Sequence, residues 1–148
     1  MKILQKTYDQ IIFESRKIPY ETGGILGGAN GVITISQSDD GLPSTRMCSY
    51  IPNTRKLNLT IKKWQQSNIT FMGIYHTHFW NVETLSVNDE AYINKIMNCM
   101  PGVIEQLYFP LVVMPNPKLV SYTAKKVSGE LVEIKRDKIN IIGKAKEE

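Results

Sequence analysis

Residues 74–89, IYHTHFWNVETLSVND, contain both histidines of the chain, one residue apart. The apolar lead-in TFMGIYHTH, residues 70–78, reads as a strand. Side chains at i and i+2 of a strand share a face, so His76 and His78 should present two imidazoles side by side. Residues 87–100 follow a helical pattern, with Ile93, Ile96, Met97 and Met100 on the apolar face. Ser86 and Asp89 have the spacing of a capping box at the start of that helix. The loop between strand and helix is long enough to fold the first helical turn back onto the strand end. The stretch therefore predicts a strand, a loop and a capped helix that close on one point.

That point has the composition of a metal site. Zinc takes about four tetrahedral ligands at about 2.0–2.2 Å, and neutral imidazole is a common one. His76, His78 and Asp89 supply three, which leaves a fourth position for water, as a catalytic site requires. Other readings of each part stand beside this one. Two histidines one residue apart also occur on solvated strand faces, and Ser86 with Asp89 also makes sense as a cap alone, favoured by the helix dipole. Capping and facing a site do not exclude each other. Glu21, in PYETGGILGG, adds a carboxylate that can take a proton from an activated water and hand it to a leaving amine. Its plain alternative is a surface glutamate before a turn. Gly23 and Gly24 after it permit close backbone approach.

The rest of the chain organises around this unit. Residues 2–5 read as a short strand, and Thr7-x-x-Gln10 reads as a helix start, with Thr7 capping Gln10. Tyr8, Ile11, Ile12 and Ser15 share a face, and Pro19 ends the pattern. GGILGG and GVITIS are strands joined by the turn Ala29-Asn30-Gly31. MCSYIP is a further strand. Residues 57–67 fit a helix better than a strand. LYFPLVVMP is a continuous buried strand, and LVSYTAKK and ELVEIKR form a hairpin about Val127-Ser128-Gly129. The mixed order of elements predicts an α/β (mixed α+β) fold, a curved mixed sheet flanked by helices. It predicts one domain over residues 1–143 and a frayed charged tail, KAKEE, over 144–148.

Composition excludes several classes of function. The chain has 148 residues, 42% apolar and 22% charged, ordinary for a soluble globular protein. No apolar run approaches the roughly 20 residues that span a bilayer. The N-terminus, MKILQKTYDQ, lacks the pattern of a signal peptide. Cys48 and Cys99 are isolated, as buried thiols in a reducing cytoplasmic setting would be. The net charge is +4 and the pI about 9.0. The densest basic cluster, Lys135, Arg136 and Lys138, is what a solvated strand face carries, and no aromatic and basic stripe suggests nucleic acid.

The five polar positions together resemble the JAMM (MPN+, or JAB) metallopeptidase family. Its signature is an upstream glutamate, then H-x-H, seven residues, S, two residues and D. Here His76-Thr77-His78 is followed by seven residues, Phe79–Leu85, then Ser86, Val87-Asn88 and Asp89. ETGGILGG and GIYHTH resemble the strands that carry the family's glutamate and histidines. The resemblance spans nearly the whole chain and implies a JAB/MPN-like, cytidine-deaminase-like fold of the compact prokaryotic type. It implies His76, His78 and Asp89 as zinc ligands, Glu21 as general base and then acid, and Ser86 as a donor to the developing oxyanion. It implies hydrolysis of a peptide or isopeptide bond. The expected substrate is a ubiquitin-like or sulfur-carrier protein, cut after its C-terminal glycine, and neither nucleic acid nor membrane is an expected partner. The alternative reading is a non-catalytic or partner-activated MPN-type scaffold in a protein assembly; relatives that serve so have lost the ligands that are filled here, although a blocking loop can silence a filled site. Its DNA-repair-associated branch continues H-x-H into Pro-Ser-Gly, which this chain does not. Two prolines usual in the family, after the second histidine and before the serine, are Phe79 and Leu85 here, so the loop should differ in shape. Phe79 and Trp80 read as packing residues rather than as a substrate-facing rim.

Overall fold

The computed structural model describes residues 1–17, 19–41, 53–129 and 131–143. Its elements are β1 (Lys2–Leu4), α1 (Gln5–Arg16), β2 (Gly23–Ala29), β3 (Val32–Asp39), α2 (Thr54–Gln66), β4 (Thr70–His78), α3 (Val87–Cys99), β5 (Gln106–Tyr108), β6 (Leu111–Val113), β7 (Lys118–Ser128), β8 (Leu131–Asp137) and β9 (Asn140–Ile142). The strands join in one mixed sheet. From β4 it runs through β2, β3 and β1 to β9 on one side, and through β5 and β6 to β7 and β8 on the other. β4 is antiparallel to β2 and parallel to β5 and β6.

Alternation along the central strands divides the apolar residues between two cores. Ile25 and Ile74 face α2 and α3, with Leu57, Trp64, Ile93 and Met97. Their neighbours Leu26 and Tyr75 face α1, with Ile11. Helices therefore cover both faces, as the mixed pattern predicts. The β2–β4 register slips between Leu26 and Gly27, and the slip lets Phe71 and Ile74 share one core although they are three residues apart. Glycine is required in this bulge: a Cβ on Gly73 would lie 1.8 Å from the Tyr108 carbonyl oxygen. The β2–β3 turn places Asn30 and Gly31 at φ 53° and 74°, which suits a tight two-residue hairpin.

Several expectations need correction. The first helix begins at Gln5 without a side-chain cap, because the Thr7 hydroxyl instead donates to the Thr34 carbonyl at 2.8 Å. LYFPLVVMP is not one strand but two, β5 and β6, divided at Phe109-Pro110 because proline has no N–H for the ladder. The two pieces still keep one register against β4, Gly73 opposite Tyr108 and His76 opposite Leu111. β9 is an additional short strand, parallel to β1. Cys99 is exposed rather than buried. MCSYIP, Cys48 and the KAKEE tail lie outside the described residues. The helix expected over 57–67 does form, starting earlier, as α2 over Thr54–Gln66. The Asn53 side chain caps it by accepting from the Lys56 N–H, and Leu57 and Trp64 bury one face. No helix of the described residues is long and apolar enough to cross a membrane.

Candidate metal centre

β4 forms with the bounds the sequence implies, α3 forms over Val87–Cys99 with Met100 as its extended C-cap rather than its last turn, and their shared core brings their ends together. Below the Gly73 bulge, Ile74, His76 and His78 alternate onto the α3 side of the sheet, where Ile93 and Met97 anchor α3 against β4. The N-terminus of α3 then lies over the end of β4. There the capping box forms in full: the Ser86 hydroxyl accepts from the Asp89 N–H at 3.0 Å, and the Ser86 N–H donates to Asp89 Oδ2 at 2.8 Å. The second bond does more than cap. It holds the Asp89 carboxylate in the rotamer that faces the histidines.

The three side chains converge. His76 Nε2 and His78 Nε2 are 3.0 Å apart. Asp89 Oδ1 is 3.2 Å from His76 Nε2, and Oδ2 is 3.0 Å from His78 Nε2. All the ligand atoms fall within 4.8 Å of one another, an arrangement that can hold a metal ion. Tetrahedral ligands at about 2.0–2.2 Å from a metal are about 3.4 Å apart, so a shift of a few tenths of an ångström seats one. The donor set suits a borderline cation, with two imidazole nitrogens and one carboxylate. Both histidines are nearly buried, so their aim is set by packing rather than by solvent.

The electrostatics follow from this crowding. Burial works to raise the Asp89 carboxyl, but hydrogen bonds from His76 and His78 overcome it and hold the group well below the usual carboxylate range. Burial works to lower His78, but the hydrogen bond and charge of Asp89, the charge of Glu21 and the Val82 backbone together raise it above 6.5. His78 Nδ1 makes no well-formed hydrogen bond among the described residues.

Glu21 is half-buried and stands just before Thr22, which pairs with Thr77 between the two histidines. Its carboxylate is close enough to act on His78. Ser86 reaches the cluster through the cap. The structure thus groups His76, His78 and Asp89 directly, with Glu21 and Ser86 at their edge.

The loop between β4 and α3 turns at once. Trp80 and Asn81 both have left-handed φ, 62° and 61°, and the Asn81 N–H donates to the Met114 carbonyl at 2.8 Å. The Tyr122 hydroxyl donates to the Glu83 carbonyl at 2.6 Å, and Lys118 pairs with the Glu83 carboxylate. Phe79 packs into the α1-side core as expected. Trp80 does not: the reversal leaves it 85% exposed. Sequence reasoning also passed over Thr77. The only signal for it was alternation, which points the residue between two histidines to the opposite face.

No protein-family model matches this chain, and no curated protein does. Among solved structures, protein DSY2949 from Desulfitobacterium hafniense matches with a TM-score of 0.63 and 15% identity, over 98% of this chain and 94% of that one. AF2198, a JAB1/MPN domain protein from Archaeoglobus fulgidus, matches with a TM-score of 0.52 and 15% identity, over 82% of this chain and 88% of that one. At such identity the likeness shows the fold, which is JAB1/MPN-like.

Proposed function

We propose that this chain is a zinc-dependent peptidase or isopeptidase. The observation that carries the reading is the convergence of His76 Nε2, His78 Nε2 and the Asp89 carboxylate within 4.8 Å, on a JAB1/MPN-like fold. Zinc held by these three residues supplies a Lewis acid and an acidified water. The residues of the chain do the rest. Glu21 holds the proton lost by the attacking water and delivers it to the leaving amine, with no covalent intermediate. Ser86 uses its oxygen for the cap, so its own proton is left to donate to the carbonyl oxygen as charge develops there. The buried histidines keep bulk water from the inner side of the cluster.

The substrate in this reading is a ubiquitin-like or sulfur-carrier protein, cut after its C-terminal glycine. A flexible glycine tail suits a chain without long insertions, because it can lie extended beside the sheet. The isolated cysteines fit a cytoplasmic setting. The test is hydrolysis of fluorogenic peptides ending in Gly-Gly, by wild type and Glu21→Ala. The expected result is that Glu21→Ala keeps its zinc and loses hydrolysis. Retained turnover in that variant would remove Glu21 from the mechanism.

A further inference from the structure

Thr77 is 1% exposed and stands between two of the three metal-candidate residues without being one of them. Alternation points its side chain to the face opposite His76 and His78. Its partner is the residue after Glu21. The Thr77 N–H donates to the Thr22 carbonyl at 2.8 Å, an ordinary ladder bond. The reciprocal bond is not ordinary. The Thr22 N–H donates to Thr77 Oγ1, a side-chain hydroxyl, at 2.9 Å. The Thr77 hydroxyl in turn donates to the Thr22 carbonyl, with 3.4 Å between the two oxygens. In a regular antiparallel pair that N–H would go to a peptide carbonyl. Here the hydroxyl replaces it, one residue before the start of β2.

The consequence reaches Glu21 through covalent geometry. The Thr22 N–H belongs to the planar peptide unit that also carries the Glu21 Cα. A hydroxyl that fixes this N–H fixes the plane, and with it the direction in which Glu21 leaves the sheet. Both Thr22 and Thr77 are buried, so water does not substitute for the bond. We propose that Thr77 is the positioning residue for Glu21: its hydroxyl hooks the Glu21–Thr22 peptide and aims the carboxylate at the ground between His76 and His78. The inference rests on the peptidase reading for its catalytic sense, and on Thr22–Thr77 geometry alone for the hook.

The test compares Thr77→Val, which keeps the shape and removes the hydroxyl, with Thr77→Ser, which keeps the hydroxyl. Amide hydrogen exchange in the metal-free protein reads the hook directly. In Thr77→Val the Thr22 amide should exchange at least about tenfold faster, the signature of a lost local bond, while Gly24 and His76 keep their protection. With zinc supplied, Thr77→Val should bind metal as wild type does. Its kcat on a Gly-Gly fluorogenic peptide should fall by about 10–100-fold with little change in KM, as a misaimed base would cause. Thr77→Ser should restore both readouts. A merely structural threonine would lower the melting temperature and leave kcat of the folded enzyme alone, which overturns the proposal, as does unchanged Thr22 exchange in Thr77→Val. Wild type that holds zinc and cuts no peptide overturns the peptidase reading instead, and the exchange data still decide whether the hook exists.

Discussion

Ser86 carries two roles that substitution can separate. As N-cap its oxygen accepts the Asp89 N–H at 3.0 Å, and replacing such a cap by alanine costs about 1 kcal/mol. For a domain of this size that lowers the melting temperature by about 3 °C. Glycine at the same position costs only a few tenths of a kcal/mol, because it tolerates the cap backbone. The reciprocal bond, from the Ser86 N–H to Asp89 Oδ2 at 2.8 Å, is a backbone donor and survives in both variants. Asp89 therefore stays aimed at His78, and both variants should keep their zinc. As an oxyanion donor the hydroxyl is worth about 10²–10³-fold in kcat, and both variants lose it equally. The expected pattern is thus a shared fall in kcat, with the melting temperature lowered in Ser86→Ala and nearly unchanged in Ser86→Gly. Thermal denaturation followed by circular dichroism and steady-state turnover measure the two quantities independently. A loss of kcat below tenfold in both variants would reduce Ser86 to a cap and refute its catalytic role.

Gly73→Ala should lower stability by about 3 kcal/mol, since the new Cβ meets the Tyr108 carbonyl oxygen at 1.8 Å and β4 must part from β5; urea unfolding reads this, and a loss under 1 kcal/mol would contradict the close approach. The metal-free protein should show a histidine-linked limb in its stability. His78 is raised above 6.5, mainly by Asp89 once burial is overcome. Its contribution is complete below about pH 6.5 and is lost as pH rises through the raised folded value. Asp89→Asn should abolish that limb in urea titrations across pH 5 to 9, and a limb that persists would assign it elsewhere.

The strand over 70–78 and the helix from 87 were legible because local signals agreed with the tertiary outcome. Alternation ran from Ile74 into His76 and His78, past the break at Gly73, and Ser86 with Asp89 marked the helix start. All three metal-candidate residues lie within this one stretch, so little long-range information was needed to join them. Glu21 was harder, because its approach depends on β2 pairing with β4, and the Thr77 hook that refines it looks like filler in the sequence. Thr7 misled for the opposite reason: its hydroxyl found the Thr34 carbonyl across the fold rather than its own helix. Proline at 110 divided a strand without moving its register, a distinction composition does not carry. The three-residue β9 offers too few side chains for a period, and its place is set by β1. Trp80 escaped the packing rule because left-handed backbone at 80 and 81 turned it outward.

Zinc content tests the central claim most directly. Wild type and His78→Ala, each supplied with zinc and exhaustively dialysed, go to elemental analysis. About one zinc per chain is expected in wild type and little in the variant, since two remaining protein ligands hold a metal poorly. Folded wild-type protein without zinc, or equal zinc in both proteins, would contradict the assignment of His76, His78 and Asp89 as a metal centre.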